Sequence, residues 1–126
     1  MEKEYKEILL RDLCARLPYG VKVQIIKNNQ LGTYTLYPSD IDSFKHNFQD
    51  IKPYLRPMSS MTEEEKKELR LLKDSFDFNC YTAGHYNFQV NLTVADWLLK
   101  NHFDYRGLIP MGLAIEVTEE NNPYEK

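Results

Sequence analysis

Val21-Lys22-Val23-Gln24-Ile25-Ile26, then Lys27-Asn28-Asn29-Gln30-Leu31, then Gly32-Thr33-Tyr34-Thr35-Leu36-Tyr37 is the stretch that decides the fold class. β-Branched residues alternating with polar ones over Val21–Ile26 predict a half-buried strand. Asn28-Asn29-Gln30 supplies turn chemistry, and Gly32–Tyr37 reads as the strand returning. Pro38-Ser39-Asp40 breaks it.

Upstream, the pattern changes from period two to period 3.6. Tyr5, Ile8, Leu9, Leu13 and Leu17 repeat at helical spacing, and Leu10 and Cys14 widen the stripe. The helix predicted over Glu4–Arg16 is stopped by Pro18 and Gly20.

Downstream, residues 41–55 admit two readings. Phe44, Phe48, Ile51 and Leu55 fit a helical period with Asp40 as a cap, but Pro53 and Pro57 exclude interior helix over Ile51–Pro57. That segment is expected to be a strand or an extended edge. A second helix starts at the capping box Thr62-x-x-Glu65, with Ser60 and Glu63 as an alternative register, glutamates in its first turn and Glu63 placed to pair with Lys67. Leu69, Leu72 and Phe76 form its buried face, and it ends near Lys73. Phe76, Phe78, Cys80 and then Tyr86, Phe88, Val90, Leu92 alternate with polar residues around Thr82-Ala83-Gly84, which predicts a hairpin. Thr93 with Asp96 caps a third helix running to about His102, stapled by Leu92 and Trp97. Asp104–Ile109 reads as a short turn, and Leu113–Val117 as a last strand.

The fold class expected is α+β: a small antiparallel sheet with about three helices in one compact domain over residues 1–117, followed by an acidic, flexible tail over 118–126. The 126 residues match one domain and bury enough surface for a core without staples. The formal net charge of −3 sits at the chain end, where Glu116, Glu119, Glu120 and Glu125 face Lys126. The rest is neutral, which removes any whole-chain argument for nucleic acid or anionic membrane. Nine tyrosines and six phenylalanines make the chain rich in aromatics, many expected at the core edge. The two cysteines, Cys14 and Cys80, have no metal-type spacing and are both expected to be buried and slow to react. No apolar run approaches a membrane span, and Met1–Glu7 lacks the basic start and apolar run of a signal peptide, so a cytoplasmic location is expected.

Three blocks carry a resemblance: Leu17-Pro18-Tyr19-Gly20-Val21-Lys22-Val23; Lys52–Glu65; and Asp96-Trp97-Leu98 with Phe103–Ile109 and Gly112-Leu113-Ala114. Together they resemble an uncharacterised family of small proteins from gut Bacteroidales genomes and their phages. The blocks cover under half the chain, and residues 24–51 and 74–95 are not matched. The resemblance implies a mobile-element origin and brings no activity with it.

The chemistry-bearing residues form no recognised constellation. A metal site would draw on Cys80, His85, His102 and Asp104, but Cys80-x4-His85 matches no tight zinc pattern. Asp40 and Asp42 stand where a cap belongs. Neither cysteine has a nucleophile elbow or glycine-rich loop around it. No catalytic residue, metal or cofactor is therefore expected. The reading is a non-enzymatic binding or adaptor protein with an unidentified protein partner, and a homo-oligomer is compatible with it. Its expected surface is Tyr54, Arg56, Tyr105 and Arg106, residue types that anchor interfaces, on the assumption that the two segments meet in space. Arg56, beside the N-terminus of the second helix, would either bind an anion or pair with Glu63 or Glu64. The alternative function is a weak nucleic-acid-binding module over residues 17–57, using Lys22, Lys27, Lys45, Lys52 and Arg56 among Tyr34, Tyr37 and Phe44.

Overall fold

The computed structural model of the chain describes residues 3–46, 50–72 and 94–124. The hairpin expected over Phe76–Leu92, the cap at Thr93, and Cys80 and His85 lie outside these residues. Among the described residues the fold is α+β: four α-helical segments and a four-stranded sheet in the order β2-β1-β3-β4.

Helix α1 (Lys3–Arg16) buries Leu9, Asp12, Leu13 and Arg16. A 3₁₀ turn at Leu17–Tyr19 follows, closed by Gly20 at φ 70°. Strands β1 (Lys22–Lys27) and β2 (Gln30–Thr35) pair antiparallel from Lys22↔Thr35 to Lys27↔Gln30. The two residues between them, Asn28 and Asn29, have φ of 53° and 63°. Two consecutive left-handed residues are what a two-residue hairpin turn of matching twist requires, and asparagine tolerates that region.

Residues 41–55 contain both expected elements in succession. Helix α2 (Pro38–Lys45) begins with proline in its first turn, and the Asp40 carboxylate accepts the Tyr37 N–H at 3.0 Å. Pro38 therefore opens a helix as well as ending β2, since its missing N–H costs nothing there. Strand β3 (Lys52–Leu55) then pairs antiparallel with β1 and parallel with β4 (Ile115–Glu116). The sheet is thus mixed where an antiparallel one was expected, because the helical segments between β3 and β4 return the chain in the same direction.

A 3₁₀ turn at Met58–Ser60 leads into the third helix, α3 (residues 63–72), whose capping box forms as read. The Thr62 N–H reaches Glu65 Oε1 at 2.9 Å and the Glu65 N–H reaches Thr62 Oγ1 at 3.1 Å. Glu63 pairs with Lys66, one residue short of the expected Lys67. Helix α4 (residues 94–100) ends with His102 in the left-handed region at φ 63°, before which the helix was expected to continue. The His102 N–H bonds Leu99 O at 3.1 Å and the Phe103 N–H bonds Leu98 O at 2.9 Å. This is the helix-ending motif in which a left-handed residue, usually glycine, turns the chain back.

The main core joins Leu9 and Leu13 of α1 to Val23 and Ile25 of β1, Phe44 of α2, Leu55 of β3, and Leu108 and Leu113. A second cluster of Trp97, Leu98 and Phe103 packs on Leu69 and Leu72 of α3. No helix among the described residues is long and apolar enough to cross a membrane.

Cys14 corrects one expectation: it is exposed. The apolar stripe of the sequence is widened by Leu10 and Cys14, whereas the buried face runs through Leu9 and Leu13 with the charged Asp12 and Arg16. That rotates the face away from Cys14, which lies about 100° beyond Leu13 around the helix axis. Native protein should therefore react with a small disulfide reagent at Cys14 as fast as unfolded chain does. Cys14→Ser should remove that fast phase, and a thiol at Cys14 that reacts only on denaturation would contradict the placement.

Candidate functional site

The two segments that sequence reasoning set side by side do meet. Beyond β3, Arg56 forms a parallel bridge with Phe103: its N–H donates to His102 O and its carbonyl accepts the Asp104 N–H, both at 2.8 Å. The 54–56 and 103–106 stretches are therefore joined by backbone.

Their polar side chains are largely paired with partners elsewhere in the fold. Arg56 makes a two-pronged pair with Glu65, Nη1 to Oε2 at 2.8 Å and Nη2 to Oε1 at 2.7 Å, and its guanidinium lies 4.1 Å from the Phe103 ring centroid. The expected partners were Glu63 or Glu64. Glu65 takes the role because its capping-box conformation folds the carboxylate back over the helix start, where Arg56 approaches. The Arg56 hydrogen bonds hold the Glu65 carboxyl down at about 2. Tyr54 is buried, with its hydroxyl accepting from Thr33 Oγ1 at 3.1 Å. Arg106 reaches Asp12 Oδ1 at 3.2 Å and lies over the Tyr105 ring at 5.0 Å.

Sequence reasoning missed the group beneath this layer. Asp12 and Arg16 are both 0% exposed, with Arg16 Nε on Asp12 Oδ2 at 2.7 Å. Arg16 Nη2 donates to Phe103 O at 2.6 Å. Asp12 thus sits between two guanidinium groups, and α1 is fastened to the 103–106 segment. An Asp and an Arg four apart on a helix look like an ordinary surface pair, so no signal in the sequence distinguishes them. Asp104, once a candidate ligand, uses its carboxylate to accept the Leu108 and Ile109 N–H groups at 2.8 and 2.9 Å. Among the described residues no group of three or more His, Cys, Asp or Glu stands ready to hold a metal ion.

The basic residues of the nucleic-acid alternative are divided by the sheet. Lys22 and Lys52 belong to the face opposite Val23 and Ile25, where Lys22 Nζ bonds Thr35 Oγ1 at 2.6 Å. Lys27 has the parity of the core face and pairs with Asp40 at 3.2 Å, over the rings of Tyr34 and Tyr37. Lys45 is exposed at the end of α2.

Two further features bear on function. Tyr124, expected in the acidic tail, stacks on His102 with centroids 3.8 Å apart and planes 8° from parallel. Burial raises its hydroxyl above the ordinary tyrosine value. The other feature is the edge strand β2. Leu36 N–H bonds Val21 O, so the pairs 21–36, 23–34, 25–32 and 27–30 are the hydrogen-bonded ones. The backbone groups of Leu31, Thr33 and Thr35 consequently point away from β1, to a side where no described strand pairs with them. Ile26 and Leu31, directly opposite each other, are 55% and 63% exposed. Comparison with protein-family models, curated proteins and solved structures finds no match for the chain.

Two measurements test the geometry. Arg56→Lys keeps the charge but loses the fork on Glu65 and the flat stack on Phe103, and should cost about 2 kcal/mol in chemical denaturation. A loss within the scatter of surface mutants would show the pair to be idle. His102 is held at about 4 by burial first and then by Arg16 and Arg56. The folded state therefore favours neutral imidazole; that stability is full above the unfolded value of 6.5 and is lost as pH falls from 6.5 to about 4. Glu65, lowered from 4.5 to about 2, takes effect in a more acid window. His102→Asn, which tolerates the left-handed backbone, should flatten the melting-temperature profile between pH 6.5 and 4; an unchanged slope would remove His102 from the account.

Proposed function

We propose that this chain is a non-catalytic binding module that receives an extended strand of a partner polypeptide along β2. The observation that carries the reading is the state of that edge. Among the described residues β2 is hydrogen-bonded only to β1, and Gln30-Leu31-Gly32-Thr33-Tyr34-Thr35 contains no charge and no proline. Edge strands normally carry such residues to prevent pairing with another chain. Here three residues present backbone groups that no described residue pairs, beside the apolar Ile26–Leu31 pair, the arrangement that strand addition uses. The interior acids support the non-catalytic part: Asp12, Asp104 and Glu65 are each engaged by arginines or backbone amides. The resemblance to small proteins of gut Bacteroidales genomes and their phages is compatible with an adaptor of this kind and adds no activity.

The partner strand should be free of proline and should place an apolar residue beside Leu31, since backbone pairing supplies affinity and alternate side chains supply selectivity. A library of nine-residue peptides, selected on the full chain, should return such sequences. Bound peptide should slow hydrogen exchange at the Leu31, Thr33 and Thr35 amides. Leu31→Lys should weaken binding at least about tenfold without lowering the melting temperature, as its side chain lies in solvent. Selected peptides that protect amides elsewhere, or bind Leu31→Lys equally well, would defeat the reading. Protection of the same amides by self-association alone would make the partner a second copy.

A further inference from the structure

The antiparallel register of β1 and β3 pairs Val23 with Pro53 and Gln24 with Lys52, so continuing it would set Lys22 opposite Tyr54. In place of a direct backbone rung there, the Tyr124 hydroxyl stands between the strands. It accepts the Lys22 N–H at 3.0 Å and donates to Tyr54 O at 2.7 Å. A phenol hydroxyl is one donor and one acceptor on a single atom, and both capacities are used on ladder groups. The ring is held face to face on His102.

His102 itself is set for this role. It occupies the left-handed position at the end of α4 that a glycine would take without strain. A side chain kept there at some backbone cost is one whose position matters. Its Nδ1 is buried with no hydrogen-bond partner among the described residues, so the ring acts as a flat platform for Tyr124.

The segment leading to Tyr124 is tied mainly to itself. Asn121 Oδ1 accepts the Thr118 N–H at 2.6 Å and the Thr118 hydroxyl at 2.8 Å, and Asn121 Nδ2 donates to Glu116 O at 3.0 Å. Asn122 Oδ1 accepts the Tyr124 N–H at 2.9 Å. Open clefts flank it on both sides. One of about 410 Å³ lies against Lys22, Thr33 and Tyr54, and another of about 380 Å³ lies against Arg56 and Ser60. A segment closed by its own turn, with clefts on either side and one aromatic anchor, has the form of a bound peptide.

We propose that the Lys22 amide, the Tyr54 carbonyl and the His102 ring form a tyrosine-recognition slot that this chain fills in cis with Tyr124, so that a polypeptide presenting a tyrosine competes for it. This site is separate from the β2 edge and does not rest on the reading given for that strand. Vacating it leaves two sheet groups unpaired and one ring face bare, all three matched to a phenol.

The test uses the full chain carrying Tyr124→Ala and, as probe, a synthetic peptide of residues 116–126. The variant should fold, and the peptide should bind it saturably, at least about tenfold more tightly than it binds wild type, whose slot is filled. A peptide with phenylalanine in place of Tyr124 should bind about tenfold more weakly, the equivalent of the bridging hydroxyl's hydrogen bonds. Three results would each overturn the proposal. Failure of Tyr124→Ala to fold would make the ring a piece of core. A folded variant without saturable binding would show no slot. Equal binding of the phenylalanine peptide would show that the hydroxyl recognises nothing.

Discussion

Arg16 is the residue on which the arrangement of this protein depends. Its guanidinium is withdrawn from water, bonded to Asp12 on its own helix and to the Phe103 carbonyl far along the chain. A charge so placed is tolerated only when it is paired and hydrogen-bonded, and removing one partner of such a pair costs about 3–5 kcal/mol. That penalty holds α1 and the turn after α4 in one relative position. Phe103 is then fixed at the junction, packed on Trp97 on one side and under Arg56 on the other.

From that junction the remaining polar links follow. Arg106 reaches the second oxygen of Asp12, Arg56 clamps Glu65, and Glu65 completes the cap of α3. The Arg106–Asp12 contact joins segments 94 residues apart, and the Arg56–Glu65 fork joins the end of β3 to the start of α3, each through a directional charge-assisted bond. The arginines that looked like interface anchors are each paired with an acid, Arg56 half-buried and Arg106 exposed, and other groups are presented outward beside them. They are the backbone and aliphatic side chains at the β2 edge, together with the slot that Tyr124 occupies.

The His102–Tyr124 stack lies close to this charged layer. Burial first, and then Arg16 and Arg56, keep the imidazole neutral, which suits it as a ring surface more than as an acid or base. The layer that orients α1 thus also conditions the platform on which the end of the chain rests. Tyr124 in turn joins β1 to β3 where their own ladder stops.

Local chemistry was legible in the sequence wherever it depends on neighbours along the chain. The β1–β2 hairpin follows from alternation and Asn28-Asn29, the extended run over Lys52–Leu55 from its prolines, and the start of α3 from Thr62 and Glu65. These are choices of period, turn and cap, made within a few residues. The buried Asp12–Arg16 pair, the exposure of Cys14, the choice of Glu65 by Arg56, the parallel β3–β4 pairing and the seat of Tyr124 were not legible. A charged pair at i,i+4 reads alike whether water or a distant carbonyl covers it, and a tyrosine among acidic residues reads as tail. What decides such cases is which remote backbone group lies within about 3 Å once the helices have packed, and only the tertiary structure supplies that.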